Sequence, residues 1–275
     1  MDGPVEQQAS CAWQPLTPSG VAAFARATTG RLLVVQLVFA LLAAGSIIWA
    51  ISQAWFPPIR QAIELLPPSG EIRKGQLGWA GSSPVRLAEN RYLALIVDLE
   101  HRGDMRTTAH VNVEFGRGGI EVFSLLGFVR FAYPTHWIIS INHTVLSPWW
   151  GAWSPEILAM IALGVTAGLL ICWAALAALY APIPCFLAFF ADRQLNWGGA
   201  WRLAGAALLP GCLLMSLAIF LYSVGALDLV RLGAATVVHF ALAWPYLVIS
   251  PLWLPRVKDA QLKGNPFAPP PADKK

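Results

Sequence analysis

Four long intervals without a charged residue are the strongest constraint on how this chain can fold. Each is apolar and long enough to cross about 30 Å of hydrocarbon as a helix, which takes roughly 20 residues. Only 12% of the chain is charged, against about a quarter in a soluble domain. These intervals predict four transmembrane helices and exclude a soluble globular fold. They lie between Arg31 and Arg60, Glu156 and Asp192, Arg202 and Asp228, and Arg231 and Arg256.

A fifth charge-free interval, between Arg130 and Glu156, is predicted not to cross the membrane. It contains three prolines and a polar run over residues 142–144, whose groups a helix would leave unsatisfied in lipid. A short strand from His136 to Ile141 and a Trp-rich return to the membrane fit these residues better. Counting this interval as a span would invert the topology of everything after it.

The first interval has a second interpretation, as a cleaved secretory signal, because residues 43–46 resemble a small-residue cleavage site. Its apolar run, however, starts well inside the chain and continues to Trp55, which makes it much longer than the apolar part of a signal peptide. We therefore expect an uncleaved signal anchor.

Lysine and arginine near the ends of the spans set the predicted orientation. They precede the first span, separate the second from the third and follow the fourth, whereas Arg231 alone separates the third from the fourth. Both termini are therefore expected in the cytoplasm, with the stretch from Pro18 to Arg31 along the same membrane face. The predicted segments are a cytoplasmic N-terminal segment (1–31), transmembrane helix 1 (32–56), an extracytoplasmic β-rich domain (57–154), transmembrane helix 2 (155–181), a cytoplasmic interfacial helix or loop (182–201), transmembrane helix 3 (202–226), a short external loop (227–231), transmembrane helix 4 (232–255) and a disordered cytoplasmic tail (256–275).

The predicted extracytoplasmic segment has the period of two that is typical of strands. After a short amphipathic helix from Pro58 to Leu66, strands are predicted over Glu71–Trp79, over the apolar and hence buried Tyr92–Asp98, and on both sides of a glycine turn at 116–119. With His136–Ile141 they make five or six strands in a small sheet or sandwich. None of the four cysteines lies in this segment, so it is expected to fold without disulfides.

No common catalytic, cofactor or metal motif is present. The chain has neither the Gly-x-Ser-x-Gly nor the His-Glu-x-x-His pattern, and the glycines at 116–119 lie between strands rather than at a phosphate-binding helix N-terminus. We therefore predict a non-enzymatic protein without cofactor or metal. A zinc site assembled across strands and an external enzymatic pair such as Asp98 with His101 stay open. The basic residues do not cluster as nucleic-acid binding requires.

His239 is the one acidic or basic residue inside the four charge-free intervals that predict the spans. Such residues are functional candidates because burying them is costly. A proton-responsive element is one interpretation. The preferred one is a neutral imidazole hydrogen-bonded to a neighbouring helix, for example at Tyr222 or Ser216. An ion relay would lack partners, because no other acidic or basic residue lies inside these intervals.

Tryptophans and glycines mark predicted contacts of the helices. Indole rings collect at the headgroup level of membranes, so we favour membrane anchors over an aromatic ligand cage at residues 149–153. Gly164 and Gly168 lie on one face of the second span, where two helix backbones can approach closely, and packing within the chain is preferred to dimerisation. The tryptophans predicted to anchor the protein at the membrane surface are Trp55, Trp149, Trp150, Trp153, Trp197, Trp201 and Trp253.

Two segments carry a family resemblance. They are Leu66-Pro-Pro-Ser-Gly-Glu-Ile-Arg-Lys-Gly-Gln-Leu77, after a first span with a basic flank, and Leu93-Ala-Leu-Ile-Val-Asp98. With the several spans that follow, the chain resembles a family of bacterial multi-pass membrane proteins of unknown function, sometimes labelled maltodextrin-utilisation membrane protein. The resemblance covers most of the chain. It implies a bacterial cytoplasmic (inner) membrane and supplies no catalytic residues.

Two functions of different classes are consistent with these observations. The first is a non-enzymatic membrane protein whose external β domain binds or senses an envelope protein, with the lipid bilayer as its other partner. The alternative is a transporter or permease accessory subunit, suggested by His239, Pro210 and Pro245 in the last two spans. No nucleic-acid partner is expected, and the oligomeric state is left open.

Overall fold

The computed structural model of the protein describes residues 13–101, 105 and 107–257. Four helical stretches in it are long and apolar enough to cross a membrane. Each overlaps one predicted span, and a β-rich region lies in the chain between the first and the second, so a fold of apolar helices with an inserted β domain is confirmed. The stretches are Thr29–Glu64, His143–Phe190, Trp197–Ser223 and Leu229–Trp253.

Prolines mark several of the breaks between helices. Pro57 and Pro58 lie in the first turn of one short helix, and Pro182 and Pro184 in the first turn of another. The missing N–H costs little there, because the first N–H groups of a helix have no partner within it. The described helices are α1 (Pro18–Phe24), α2 (Thr29–Ala54), α3 (Phe56–Glu64), α4 (His143–Tyr180), α5 (Pro182–Phe190), α6 (Trp197–Ala207), α7 (Leu209–Ser223), α8 (Leu229–Ile249) and a 3₁₀ helix (Ser250–Trp253).

The start of α4 differs from the sequence prediction. The helix begins at His143 rather than at residue 155, and it includes Pro148 and Pro155. Asn142 caps it, since its side chain accepts a hydrogen bond from the N–H of Val145 at 2.9 Å. This asparagine is a helix start signal, and the prolines outweighed it in the sequence argument. The two prolines leave only the carbonyls of residues 144 and 151 without their usual partners.

The β region forms two sheets. A three-stranded sheet has the order β2-β1-β8, and a five-stranded sheet has the order β3-β4-β5-β6-β7. Neighbouring strands are antiparallel except for β4 and β5, which are parallel. The strands are β1 (Gly70–Arg73), β2 (Gln76–Trp79), β3 (Val85–Glu89), β4 (Leu93–Val97), β5 (Val111–Phe115), β6 (Gly119–Ser124), β7 (Gly127–Ala132) and β8 (Ile138–Ser140).

Eight strands replace the five or six that were predicted. The single strand predicted over Glu71–Trp79 is wrong: Lys74 and Gly75 have φ values of 52° and 73°, which turn it back as a tight hairpin. The strands β3 and β7 escaped prediction. The β5–β6 hairpin and the last strand are confirmed, the latter with narrower bounds.

The core of the β region lies between α3 and the sheets. All five residues of β4 are buried, as the apolar run predicted, and α3 packs on β3 and β4. Its Ala62 lies in one buried cluster with Leu77, Leu87 and Leu95. The predicted amphipathic helix and buried strand therefore form the centre of this region.

The chain divides into two compact units. The first comprises the residues up to Phe39, Gly168–Cys212 and the residues from Val238 onward; the second comprises Ala40–Ala167 and Leu213–Val237. The β region belongs wholly to the second unit. Cys11 and most of the tail predicted over 256–275 lie outside the described residues.

In the first unit, α1 is enclosed by other helices rather than lying along a free surface. Val21 and Phe24 are fully buried, and α1 packs against α6 and the 3₁₀ helix. Arg202 of α6 donates hydrogen bonds to the carbonyls of Phe24 and Ala25, at 3.3 and 2.8 Å. A cation is favourable at the carbonyl end of a helix. Arg202, expected at the start of a span, thus caps the end of α1.

Candidate functional site in the β region

The turn between β3 and β4 is built by one side chain that also binds a helix end. The side-chain oxygen of Asn90 accepts hydrogen bonds from the N–H groups of Tyr92 and Leu93, at 2.8 and 2.9 Å. This is the local bonding that makes asparagine a turn residue. Its amide nitrogen donates to the carbonyl of Ala54, the last residue of α2, at 2.6 Å.

The next two residues of this turn bind the end of α7. The hydroxyl of Tyr92 lies 2.9 and 3.1 Å from the carbonyl oxygens of Tyr222 and Ser223. Arg91 donates to the carbonyls of Gly225 and Leu227, each at 3.4 Å. The last carbonyls of a helix lack partners within it and form the negative end of its dipole. The Asn90–Tyr92 turn thus joins the β region to the ends of two apolar helices.

An aromatic cluster surrounds this contact. Nδ1 of His110 lies 2.5 Å from the hydroxyl of Tyr222, with the two rings stacked at a centroid distance of 5.6 Å. The ring of Tyr92 meets that of Tyr222 edge-on at 5.2 Å. Burial, and secondarily the charge of Arg91, lower the pKa of His110 from its ordinary value of 6.5. The neutral imidazole is therefore favoured at this joint.

A second polar cluster lies across β5, β6 and β7. Glu114 and Glu121 face each other in the β5–β6 register, and Glu121 faces Arg130 of β7. Nδ1 of His101 lies 2.5 Å from a carboxylate oxygen of Glu114 and 3.2 Å from one of Glu121. The hydrogen bond and charge of Glu114 raise the pKa of His101 above 6.5. Two carboxylates are thus balanced by His101 and Arg130.

The three donor groups of His101, Glu114 and Glu121 lie within 4.8 Å of one another, close enough to hold a metal ion. The zinc site that the sequence left open would use these residues, because strand register brings together side chains that no sequence spacing connects. The ring of His101 and the guanidinium of Arg130 already contact these carboxylates, however, so hydrogen bonds and ion pairs explain the cluster. The side chain of Asp98, proposed as an enzymatic partner of His101, accepts a hydrogen bond from the N–H of Glu100 at 3.3 Å.

The edge strand β7 is exposed along its whole length. All six of its residues are exposed, including Phe128, Val129 and Phe131. The β6–β7 turn that leads into it is also apolar, and Leu126 is 98% exposed. The opposite edge strand, β3, packs against α3. An open apolar edge is a template for pairing with another chain, so β7 is the candidate interaction surface.

The predicted candidate His239 lies at a close crossing of α7 and α8. A Cβ atom on Gly211 would lie 2.8 Å from the carbonyl oxygen of His239. Nδ1 of His239 is buried, and it has no hydrogen-bond partner within the described residues. The hydroxyl of Tyr222, one of its predicted partners, lies beside Nδ1 of His110. The functional role of His239 stays a prediction.

The two glycines predicted to pack a helix face open space. Within residues 13–101, 105 and 107–257, no heavy atom lies within 4 Å of a Cβ built on Gly164 or Gly168, apart from their own helix and chain neighbours. The preferred interpretation, close packing inside the chain, is therefore absent from this part of the molecule. Contact with a second copy stays a prediction.

The predicted tryptophan anchors fall into two groups. Trp150 packs edge-on against Phe56 at 4.8 Å, and Trp201 donates from its indole nitrogen to the carbonyl of Ala174 at 3.1 Å. The rings of Trp149 and Trp153 stack on each other, so the three indoles at 149–153 do not share one cage. Their place in a membrane stays a prediction. The exposed rings belong to Trp55, Trp149, Trp153, Trp197 and Trp253.

Comparison with protein-family models, curated proteins and solved structures finds no match to this chain. The resemblance to the bacterial family of unknown function therefore stays a prediction. The Asn90–Tyr92 turn and the edge strand β7 are the features on which a function can be argued.

Proposed function

We propose that this protein is a non-enzymatic, multi-pass protein of a bacterial cytoplasmic membrane whose β region lies outside the cytoplasm and binds or senses an envelope protein. Four apolar helical stretches support the membrane location. The arginines at residues 26, 31, 193, 202 and 256 support an orientation with both termini in the cytoplasm.

The open edge of β7 is the observation that supports partner binding. The N–H of Tyr133 donates to the carbonyl of Gly118, which fixes the pairing of β7 with β6. Successive residues of an antiparallel strand point their N–H groups to opposite sides. The N–H groups of Phe128, Arg130 and Ala132 therefore point away from β6. A strand of the partner can pair with them while its side chains contact Phe128 and Phe131.

The Asn90–Tyr92 turn supplies a route by which binding reaches the membrane helices. It begins β4, the buried strand of the same sheet that ends in β7. Its side chains bind carbonyls at the ends of α2 and α7. Strain on the sheet would therefore act on two helix ends. We propose that the helices anchor the β region in the membrane and relay the binding of a partner at β7.

Photocrosslinking in intact cells tests the proposal. A photoreactive residue is placed at Leu126, at the tip of the β6–β7 hairpin, in the full-length protein. We expect a discrete crosslinked protein band that Phe128→Pro abolishes, because proline removes an outward N–H. Phe128→Ala is the matched control, since it loses the same ring but keeps the N–H. If the band is absent, or if both variants reduce it equally, β7 does not bind a partner by strand pairing.

A further inference from the structure

The core of the β region contains a partly open cavity of about 290 Å³. Its walls come from α3, from both sheets and from the start of α4, and include Ile59, Ala62, Trp79, Leu95 and Leu146. Every lining side chain is aliphatic or aromatic. The one polar group among them, the indole N–H of Trp79, already donates to the carbonyl of Ser82 at 3.0 Å.

A cavity of this size is unusual inside a small domain. Protein interiors are packed like organic crystals and contain few voids larger than a water molecule. An apolar cavity of about 150 Å³ stays dry and accepts a benzene-sized ligand, so this one has room for roughly twice that volume. A polar ligand would find no hydrogen-bond partner in it, at a cost of a few kcal/mol for each buried group. Any molecule bound in it must therefore be hydrocarbon where it contacts these walls.

The two segments that join the β region to the membrane helices both line the cavity. The helix α3 starts at Phe56, just after the apolar helix α2 ends at Ala54. Leu146 lies in the first turn of α4, the next apolar helix. Phe56 and Trp150 hold these segments together, with their rings 4.8 Å apart. The cavity thus lies within a few residues of the points where the chain enters lipid.

On another face of α3, Arg60 and Glu64 line a second hollow together with Gln61, so charges of both signs lie there. The cavity itself has an apolar lining and lies beside the two segments that continue into apolar helices. We propose that the cavity binds one acyl chain of a membrane phospholipid. This inference rests on the proposed membrane location, but it is independent of partner binding at β7.

Fluorescence quenching tests this site, because Trp79 forms part of its wall. The full-length protein is reconstituted in phosphatidylglycerol vesicles with or without brominated acyl chains, and the Trp79 signal is taken as the difference between wild type and Trp79→Phe. We expect bromine to remove most of that difference. Ala62→Phe, which fills the cavity, should restore it. The matched control Gln61→Phe adds the same ring on the other side of α3 and should leave quenching unchanged.

Two outcomes would overturn the proposal: no quenching of the Trp79 signal, or quenching that Ala62→Phe leaves intact. If Ala62→Phe does not fold, Ala62→Leu replaces it. An empty cavity would show itself as a rise in melting temperature on filling that does not depend on lipid. Because the crosslink at Leu126 is a separate measurement, failure of either proposal leaves the other testable.

Discussion

The second and third apolar stretches have nearly the same composition but opposite surroundings. Their most apolar 18-residue windows have mean hydropathies of 2.3 and 2.1, yet 11% of the window in the second stretch, His143–Phe190, is buried within the protein, against 67% of the window in the third, Trp197–Ser223. Apolarity does not distinguish these cases, because lipid and protein interior are equally apolar. The difference shows that hydropathy identifies which helices can cross a membrane and says little about which surfaces they present to each other.

Glycine has different consequences in the two stretches. In the third, a Cβ on Gly199 would lie 2.8 Å from the carbonyl oxygen of Ala25, and one on Gly211 equally close to that of His239. In the second, Cβ atoms on Gly151, Gly164 and Gly168 would meet open space among the described residues. Small residues permit close approach of helices, but they do not ensure that a partner helix is present.

The largest expected effect tests this contrast directly. Gly211→Ala should destabilise the protein by about 1–3 kcal/mol, because the new methyl group overlaps backbone atoms of α8. Gly164→Ala should be neutral or stabilising by up to about 1 kcal/mol, since alanine favours helix and meets no neighbour. Thermal unfolding of both variants in one detergent measures the difference. Equal losses of stability in the two variants would contradict the difference between the two stretches and indicate that a second chain covers α4.

A smaller effect is expected where the third stretch meets the β region. Tyr92→Phe removes the hydroxyl that bonds the carbonyls at the end of α7, at an expected cost of about 1 kcal/mol. Tyr246→Phe on α8 is the control, because its hydroxyl also donates to a backbone carbonyl, that of Leu16, but at an exposed site where water can replace it. Chemical denaturation measures the unfolding free energy of the two variants. Equal losses would mean that the Tyr92 hydrogen bonds contribute no more to stability than the exposed one of Tyr246.

The smallest expected effect is a pH dependence at the same joint. The pKa of His110 is lowered, so its contribution to stability is present above its ordinary value of 6.5 and is lost as the pH falls through the lower, folded value. Arg91 and Tyr222 are the ionisable neighbours named by its contacts. His110→Gln should therefore flatten the acid limb of a plot of melting temperature against pH.

His101 provides a control of opposite sign in the same sheet. Its pKa is raised, so its contribution is present below 6.5 and is lost as the pH rises through the higher, folded value. His101→Gln should therefore change only the part of the plot of melting temperature against pH that lies above pH 6.5. A change on the acid limb in this variant would mean that the two clusters are coupled, and the acid effect would then not belong specifically to the end of the third stretch.

The sequence predicted those parts of the fold that depend on local patterns. Charge spacing located the four apolar stretches, and the apolar run at 93–97 identified the buried strand. The start of α4 at His143 was missed because Pro148 and Pro155 were weighted above the cap at Asn142. The hairpin at Lys74 and Gly75 was missed because a tight turn needs only two residues.

The features that suggest function depend on distant pairings and were beyond sequence reasoning. The joint of Arg91 and Tyr92 with the end of α7 connects residues 130 or more positions apart in the chain. Glu114 and Glu121 meet because of strand register, and His101 joins them from a separate loop. The exposed edge at β7 follows from strand order, and that strand itself escaped prediction.

The hydrogen bond from Asn90 to the carbonyl of Ala54 makes the contact between the β region and α2 depend on the length of that helix. One residue inserted between Ala40 and Ala54 would turn the last carbonyl about 100° around the helix axis and raise it about 1.5 Å, out of reach of the asparagine. The helix α2 can therefore not be lengthened by one residue without losing this contact. An insertion of a whole turn would restore the direction of that carbonyl but move it about 5.4 Å along the helix axis, so it would also break the contact.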